Sequence, residues 1–507
     1  MQYLVGLDVG TTSTRTLIID SNGKLISSCI KEYPMHTPKP GWAEQDPDDW
    51  WEAAVYTIKG AISSGDIKPQ DIAAIGLTGQ MHGSVFIDRK GSIIRPALLW
   101  CDQRTAPQCE KIYDIFGYEG FIKLSHNKAL AGFTAPKILW LAENEPQNYK
   151  KIYKLLLPKD YIRYKLSGEF FTEVTDASGT ILMDIEKRDW SEEILKGLDI
   201  DRAILPDMFE SIELSSFVSE EAAKLTGLIK GTPIAGGGGD QPAGAVGSGI
   251  VKEGIVSDSL GTSGVVFTTT DDPVYDEQGR LHSFCHSVPG KWNLMGVTLS
   301  ASGSFKWYAD KFGPSREIKE KNPQIPDYAL LDKQAEIVKE GSEGLIFLPY
   351  LTGERTPYAD PNARGVFFGI SYVHTQDHFV RSILEGVAFS QLDCLNLIRG
   401  LDVKPDRVIF FGGGAKSRLW SQMMSDVFEL EISTLKIEEG PAYGAALIAA
   451  VGAKLYSSIE EVCEKTIEQK EVFKPDPEKS RIYSKYYEIY KDLYKDLKKD
   501  FKRLEEV

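Results

Sequence analysis

The sequence predicts an α/β fold of two halves packed around a central cleft, and three observations predict it. The chain opens strand–turn–strand: an apolar run over residues 3–8, a Gly10-Thr11-Thr12 turn and a second apolar run over 14–20. The same pattern returns in the second half, with 254–260, then Gly261-Thr262-Ser263-Gly264, then 265–270. No Pro/Ser-rich linker separates the two stretches, so the halves are expected to pack closely.

The intervening elements follow in order. Asn22-Gly23 supplies a hairpin turn into a strand over 25–32. Asp46 caps a helix with Pro47 at its first position, and Trp51, Ala54, Val55, Ile58, Ala61 and Ile62 recur at helical spacing. Apolar runs over 72–78 and 84–88 return to strand. A short run over 233–235 enters Gly236-Gly237-Gly238-Gly239-Asp240. A long helix is predicted over 376–399, then a strand over 407–411 that ends in Gly412-Gly413-Gly414, then a helix from about Ser417. From Tyr483 onward Tyr487, Tyr490, Tyr494, Leu497, Phe501 and Leu504 mark an amphipathic helix, expected to pack on its own protein.

Composition bounds the function. At roughly 150 residues per domain, the 507 residues form two to four domains or subdomains. Hydrophobic residues at 42% and charged residues at 26% are the balance of a soluble globular protein. No apolar run reaches the roughly 20 residues of a membrane span, and Asp8 interrupts the segment where a signal peptide needs apolar residues. The six cysteines are scattered with no CxxC pair, which points to a reducing cytoplasm. A net charge of −15 argues against a nucleic-acid partner.

The chemistry-bearing residues sit at strand ends. Asp8 can hold a hydrated divalent cation, and the amides and hydroxyls of Thr11, Thr12 and Ser13 can meet phosphate oxygens; an ordinary hairpin is the alternative. Asp258-Ser259-Leu260-Gly261-Thr262-Ser263-Gly264 repeats the device, and two such hairpins can clamp a polyphosphate. Gly412-Gly413-Gly414 and Gly440-Pro441-Ala442-Tyr443-Gly444 either let a flat ligand approach the backbone or pack strand against helix. No Walker A sequence is present, which excludes the usual P-loop kinase. The glycines of 236–239 leave Asp240 as the main functional group of its turn, either a base for a sugar hydroxyl or a helix cap. Gln80-Met81-His82-Gly83 offers an imidazole and a thioether to a polyol, or a structural histidine. The pairs His282/His286 and His374/His378 lack a nearby acidic third ligand and do not read as metal sites.

Together these residues resemble the FGGY carbohydrate kinases. The resemblance runs from Tyr3 to about Gly452 through Trp42-Ala43-Glu44-Gln45-Asp46-Pro47, Gln80-Met81-His82-Gly83, Gly132-Phe133-Thr134-Ala135-Pro136-Lys137, Leu157-Pro158-Lys159-Asp160-Tyr161 and Gly353-Glu354-Arg355-Thr356-Pro357. It implies two actin-like ATPase (ribonuclease H-like) domains, over 1–246 for sugar and phosphate and 247–455 for nucleotide, with a helical tail over 456–507 packing on the body. It also implies ATP and Mg²⁺ as cofactors, Asp240 as general base, and Asp8 as the acidic residue of the phosphate hairpin and the metal site. Met81 and His82, with Gln80 and Gln241, are the implied sugar contacts; Thr11, Thr12, Ser13, Gly261, Thr262 and Ser263 the phosphate loops; Gly413, Gly414 and Ala415 the adenosine site. Gln80-Met81-His82-Gly83 resembles the members that act on D-xylulose, whereas glycerol-directed members carry an Arg-Glu pair in this region. Gln241 departs from the Asn of some members, and Thr-Thr-Ser from a Thr-Ser-Gly hairpin. The resemblance suggests a homodimer, and the absence of a long apolar run argues against a membrane partner. The alternatives are a kinase of another ketose or polyol such as ribulose, or a non-catalytic actin-like ATP switch.

Overall fold

A computed structural model describes residues 2–437 and 439–505. In its first unit, β1 (Tyr3–Val9) and β2 (Ser13–Asp20) pair antiparallel, placing Asp8 opposite Arg15 and Val9 opposite Thr14. β3 (Leu25–Glu32) joins β2 through the turn at Gly23, whose φ of +81° is where glycine is at ease. β4 (Ile72–Gly79) runs parallel to β1 on its other side. β5 (Leu214–Phe217) and β6 (Pro233–Ala235) extend the sheet to the order β5-β6-β4-β1-β2-β3, and β7 (Gly238–Gly239) pairs with the end of β4.

Alternation along β1 separates two cores. Val5, Leu7 and Val9 join Trp50, Ala54 and Ile58 of helix Pro47–Ser64 on one face. Leu4 faces Ala442, Ala446 and Ala450 of helix Gly440–Gly452 on the other. That helix lies in backbone contact with the sheet: a Cβ on Gly6 would stand 1.9 Å from the Ala442 carbonyl oxygen, and one on Gly76 would stand 1.8 Å from that of Ala445. A Cβ on Gly444 would meet the Ala243 carbonyl oxygen at 1.7 Å. Glycine at 444 therefore serves helix packing, not the approach of a ligand.

The second unit repeats the motif. β8 (Ile255–Leu260) and β9 (Gly264–Thr270) form a hairpin, β10 (Trp292–Thr298) flanks β9, and β11 (Arg407–Gly412) runs parallel to β8 with Gly412 opposite Leu260. β12 (Glu431–Leu435) and β13 (Gln469–Phe473) continue the sheet, whose order includes β10-β9-β8-β11-β12-β13. Helix Gln376–Arg399 has the predicted bounds, and His378 completes a capping box with Thr375 at its start. Helix Pro477–Glu505 buries Tyr483, Tyr487, Tyr490, Leu493, Tyr494 and Phe501 in this unit, while Leu504 is exposed.

The units interleave along the chain. The first comprises Met1–Lys252, Thr270–Asn293 and Glu439–Ile467; the second comprises Glu253–Thr269, Leu294–Glu438 and Glu468–Val507. This differs from boundaries at 246/247 and 455/456, because helix Gly440–Gly452 follows β12 in sequence yet covers the first sheet. Among the described residues, no helix is long and apolar enough to cross a membrane.

Candidate active site

Strand order brings two distant carboxylates to one sheet edge. Gly79 at the end of β4 pairs with Val9 of β1 on one side and Gly239 of β7 on the other. Asp8 and Asp240 therefore sit at the ends of strands separated by one strand, about 10 Å at ordinary spacing. Burial pushes the Asp8 carboxyl up to about 7, with the Asp240 charge adding to the rise and Arg15 opposing it. Burial likewise pushes Asp240 up to about 6, against hydrogen bonds from the Gln241 backbone and side chain. Arg15 is itself paired with Glu439. Asp8 Oδ1 is buried without a hydrogen-bond partner, an acceptor suited to a cation or its water.

The turn that presents Asp240 is built from below. Gly237 has φ +74°, and a Cβ there would stand 2.0 Å from the Leu77 carbonyl oxygen. The Arg163 guanidinium donates to the carbonyls of Ala235 at 2.9 Å and Gly236 at 2.5 Å. The Gly239 N–H donates to Thr175 Oγ1 at 2.9 Å, and that hydroxyl donates to Glu173 at 2.8 Å. Beneath them Lys159 Nζ lies 2.7 Å from Asp160, 3.1 Å from Asp176 and 3.3 Å from Glu173, all fully buried. A buried lysine this closely surrounded by carboxylates keeps its charge, and the group as a whole fixes the loop.

Gln80, Met81 and His82 follow β4, and their roles in the architecture differ. The Gln80 amide donates to Gln45 Oε1 at 3.1 Å and to the Gly10 carbonyl at 3.4 Å, and it accepts from Thr11 Oγ1 at 3.4 Å. It ties the first hairpin to β4. Trp100, 43% exposed, donates its indole N–H to the same Thr11 hydroxyl at 3.0 Å. Thr12 is exposed and Ser13 half-buried at the hairpin tip. Met81 is buried against Gly239. His82 takes φ +66°, held by Lys137 Nζ and Thr134 Oγ1 donating to its carbonyl at 2.8 and 3.0 Å. Its Nδ1–H donates to the Gly179 carbonyl at 2.7 Å, which leaves Nε2 as the acceptor in the neutral ring. Phe133 stacks on the imidazole at 4.3 Å, with Phe284 at 5.9 Å. The first unit thus gathers Asp8, Thr11, Met81, His82, Asp240 and Gln241 around the ends of β1, β4 and β7.

The second unit holds a cavity of about 540 Å³ lined by Leu260, Gly261, Thr262, Gly413, Ser417 and neighbours, within the range of ligand sites. Its hairpin is anchored by helix Ser302–Lys311, where Ser302 and Gly303 N–H groups donate to the Gly261 and Thr262 carbonyls at 2.9 and 3.1 Å. Gly412 has φ +90° and a Cβ there would meet the Leu260 carbonyl oxygen at 2.7 Å, so β11 ends in glycine for a steric reason. Ser263, Gly414 and Ala415 are outside the lining, Gly414 being packed on the Leu260 side chain. Phe305, Tyr328 and Asp332 complete the walls, with Ser417 Oγ donating to Asp332 at 2.6 Å. Sequence patterns missed these three, and also Trp100, Thr175 and Gly179. They stand on unremarkable helices and turns far along the chain from the residues they meet.

Residues 3–247 match the N-terminal domain, and residues 256–453 the C-terminal domain, of the FGGY family of carbohydrate kinases. The chain is 41% identical to a xylulose kinase of Lactococcus lactis over 94% of its length and 93% of the relative's. It is 36% identical to a xylulose kinase of Bacillus subtilis, covering 95% of each. The crystal structure of a xyloylose kinase from Brucella ovis superposes with a TM-score of 0.90 at 32% identity, covering 98% of this chain and 99% of that one.

Proposed function

We propose that this chain, which belongs to the FGGY family of carbohydrate kinases, transfers the γ-phosphoryl group of ATP to D-xylulose, yielding D-xylulose 5-phosphate. The observation that carries the reading is local: Met81 packs against Gly239, the residue before Asp240, so the imidazole–thioether pair lies beside the turn that presents the Asp240 carboxyl. The xylulose kinases to which the chain is similar along nearly its whole length support the same substrate.

In this mechanism Asp240 accepts the proton of the attacking hydroxyl. A carboxyl near 6 is ionised at neutral pH yet basic enough to take a proton late, as the loose transition state develops. His82 hydrogen-bonds the ketose and Met81 covers its carbon face, with Gln241 steadying the Asp240 carboxylate. Gln80 positions the first hairpin. Thr11, Thr12 and Ser13 in the first domain, and Gly261, Thr262 and Ser263 in the second, meet phosphate oxygens. Gly413, with Gly414 and Ala415 behind it, lies at the adenosine end of the 540 Å³ cavity. Asp8, with its partnerless buried oxygen, is the residue that would hold Mg²⁺, directly or through water. Mg²⁺ when bound offsets the charge of the phosphates. Sugar chemistry falls mainly to 1–246 and nucleotide binding mainly to 247–455, although Thr270–Asn293 and Glu439–Ile467 belong to the first unit. All six cysteines are free, in keeping with a reducing cytoplasm, and we take the working form to be a homodimer.

The test is ADP release with Mg-ATP across D-xylulose, D-ribulose, L-ribulose, glycerol and no sugar. Release specific to D-xylulose is expected. Preference for another sugar would overturn the substrate, and sugar-independent release would overturn the transfer itself.

A further inference from the structure

Gly179 follows helix Val174–Ser178 with φ −65° and ψ −12°, a conformation open to any residue. Its backbone does not call for glycine, and by backbone entropy alone alanine would be favoured there. The missing side chain is explained by its neighbours. A Cβ on Gly179 would stand 3.0 Å from Cε1 and Nδ1 of His82 and 3.0 Å from Cε of Met81. Unstrained carbon contacts lie at about 3.5–4.0 Å. The Gly179 carbonyl also accepts the Nδ1–H of His82 at 2.7 Å. Gly239, on the opposite flank of Met81, repeats the pattern: its φ of −55° suits any residue, yet a Cβ would stand 2.7 Å from Met81 Cγ. Met81 therefore occupies a slot between two glycines, the second of which immediately precedes Asp240.

We propose that Gly179 is a positioning residue for the ketose, acting through Met81 and His82. Its bare Cα leaves room for the Met81 thioether and the His82 ring, and its carbonyl sets the ring's tautomer and tilt. The inference rests on the reading that Met81 and His82 contact the sugar. It adds that the placement of the two sugar contacts is governed by a residue the sugar does not touch. An alanine displaces both side chains by a few tenths of an ångström, and the displacement is felt by the acceptor and not by the nucleotide.

The experiment compares wild type, Gly179→Ala, Gly179→Ser and His82→Ala in kcat and KM for D-xylulose and ATP and in melting temperature. For Gly179→Ala, kcat/KM for D-xylulose falls about tenfold or more, as expected for one misplaced methyl-sized group in a pocket. The KM for ATP stays within about twofold, and the melting temperature changes little, the entropic gain offsetting the displacement. Gly179→Ser gives the larger loss. If Gly179→Ala keeps its D-xylulose kinetics while His82→Ala loses them, the role of Gly179 is refuted and the sugar reading stands. If neither variant changes D-xylulose kinetics, the sugar reading fails and this inference with it. A lowered melting temperature with both KM values raised would make Gly179 a packing residue only.

Discussion

Asp8 is held in an environment that disfavours the charge it needs. Its carboxyl rises from an ordinary 3.8 to about 7 by burial and by the nearby Asp240 charge. A folded value above the unfolded one means that the native state binds protons more tightly. The stabilisation is then complete below about pH 4 and is lost as pH rises through 7. Asp8→Asn removes the ionisation. Without divalent cation, this variant is expected to be more stable than wild type at pH 8 by ~1 kcal/mol or more, with the difference vanishing near pH 4. Denaturant midpoints at the two pH values check it, and equal midpoints at pH 8 would contradict the buried-charge assignment. The same variant is expected to lose activity, because stability and function make opposite demands on this position.

At the scale of elements, helix Pro477–Glu505 shows why its stripe is tyrosine and not leucine. Tyr487 donates to Asp393 at 2.6 Å, Tyr494 donates to Asp360 at 2.9 Å, and Tyr490 meets the Tyr350 hydroxyl at 2.9 Å. The rings fill the interior of the second unit while the hydroxyls satisfy groups that burial would otherwise strand. Asp393 is pushed up to about 7 by burial, and the Tyr487 hydroxyl opposes that rise. Tyr487→Phe leaves Asp393 short of a donor and is expected to cost about 1–3 kcal/mol at neutral pH. Chemical denaturation measures the loss, and kcat/KM at a permissive temperature is expected to hold. Unchanged stability would show the hydroxyl to be dispensable.

Across the whole molecule, what could be read from sequence followed from locality. Hairpins, strand-end glycines and the carboxylates Asp8 and Asp240 are short-range signals, because a turn or a strand end is defined by neighbours in the chain. The residues that seat them are not. His82 and Gly179 are 97 positions apart, and Gly239 reaches Thr175 across 64. By sequence, helix Gly440–Gly452 suits a ligand or packing equally, and only sheet contact at Gly6 and Gly76 decides for packing. The walls of the second-unit cavity stand on helices Ser302–Lys311 and Asp327–Glu336, whose mixed polarity gives no periodic sign of a ligand. Gln80 was legible as part of its motif, but the engagement of its amide with the hairpin was not.

Phosphoryl transfer to the ketose is expected to depend on Asp240 as base. Phosphorus NMR of the products formed from Mg-ATP and D-xylulose, for wild type and for folded Asp240→Ala, tests it most directly. The wild type is expected to produce a sugar phosphomonoester and ADP in equal amounts. The variant is expected to produce less by a factor of about 10² or more. Near-normal product from Asp240→Ala, or ADP from the wild type without a sugar phosphate, would contradict it.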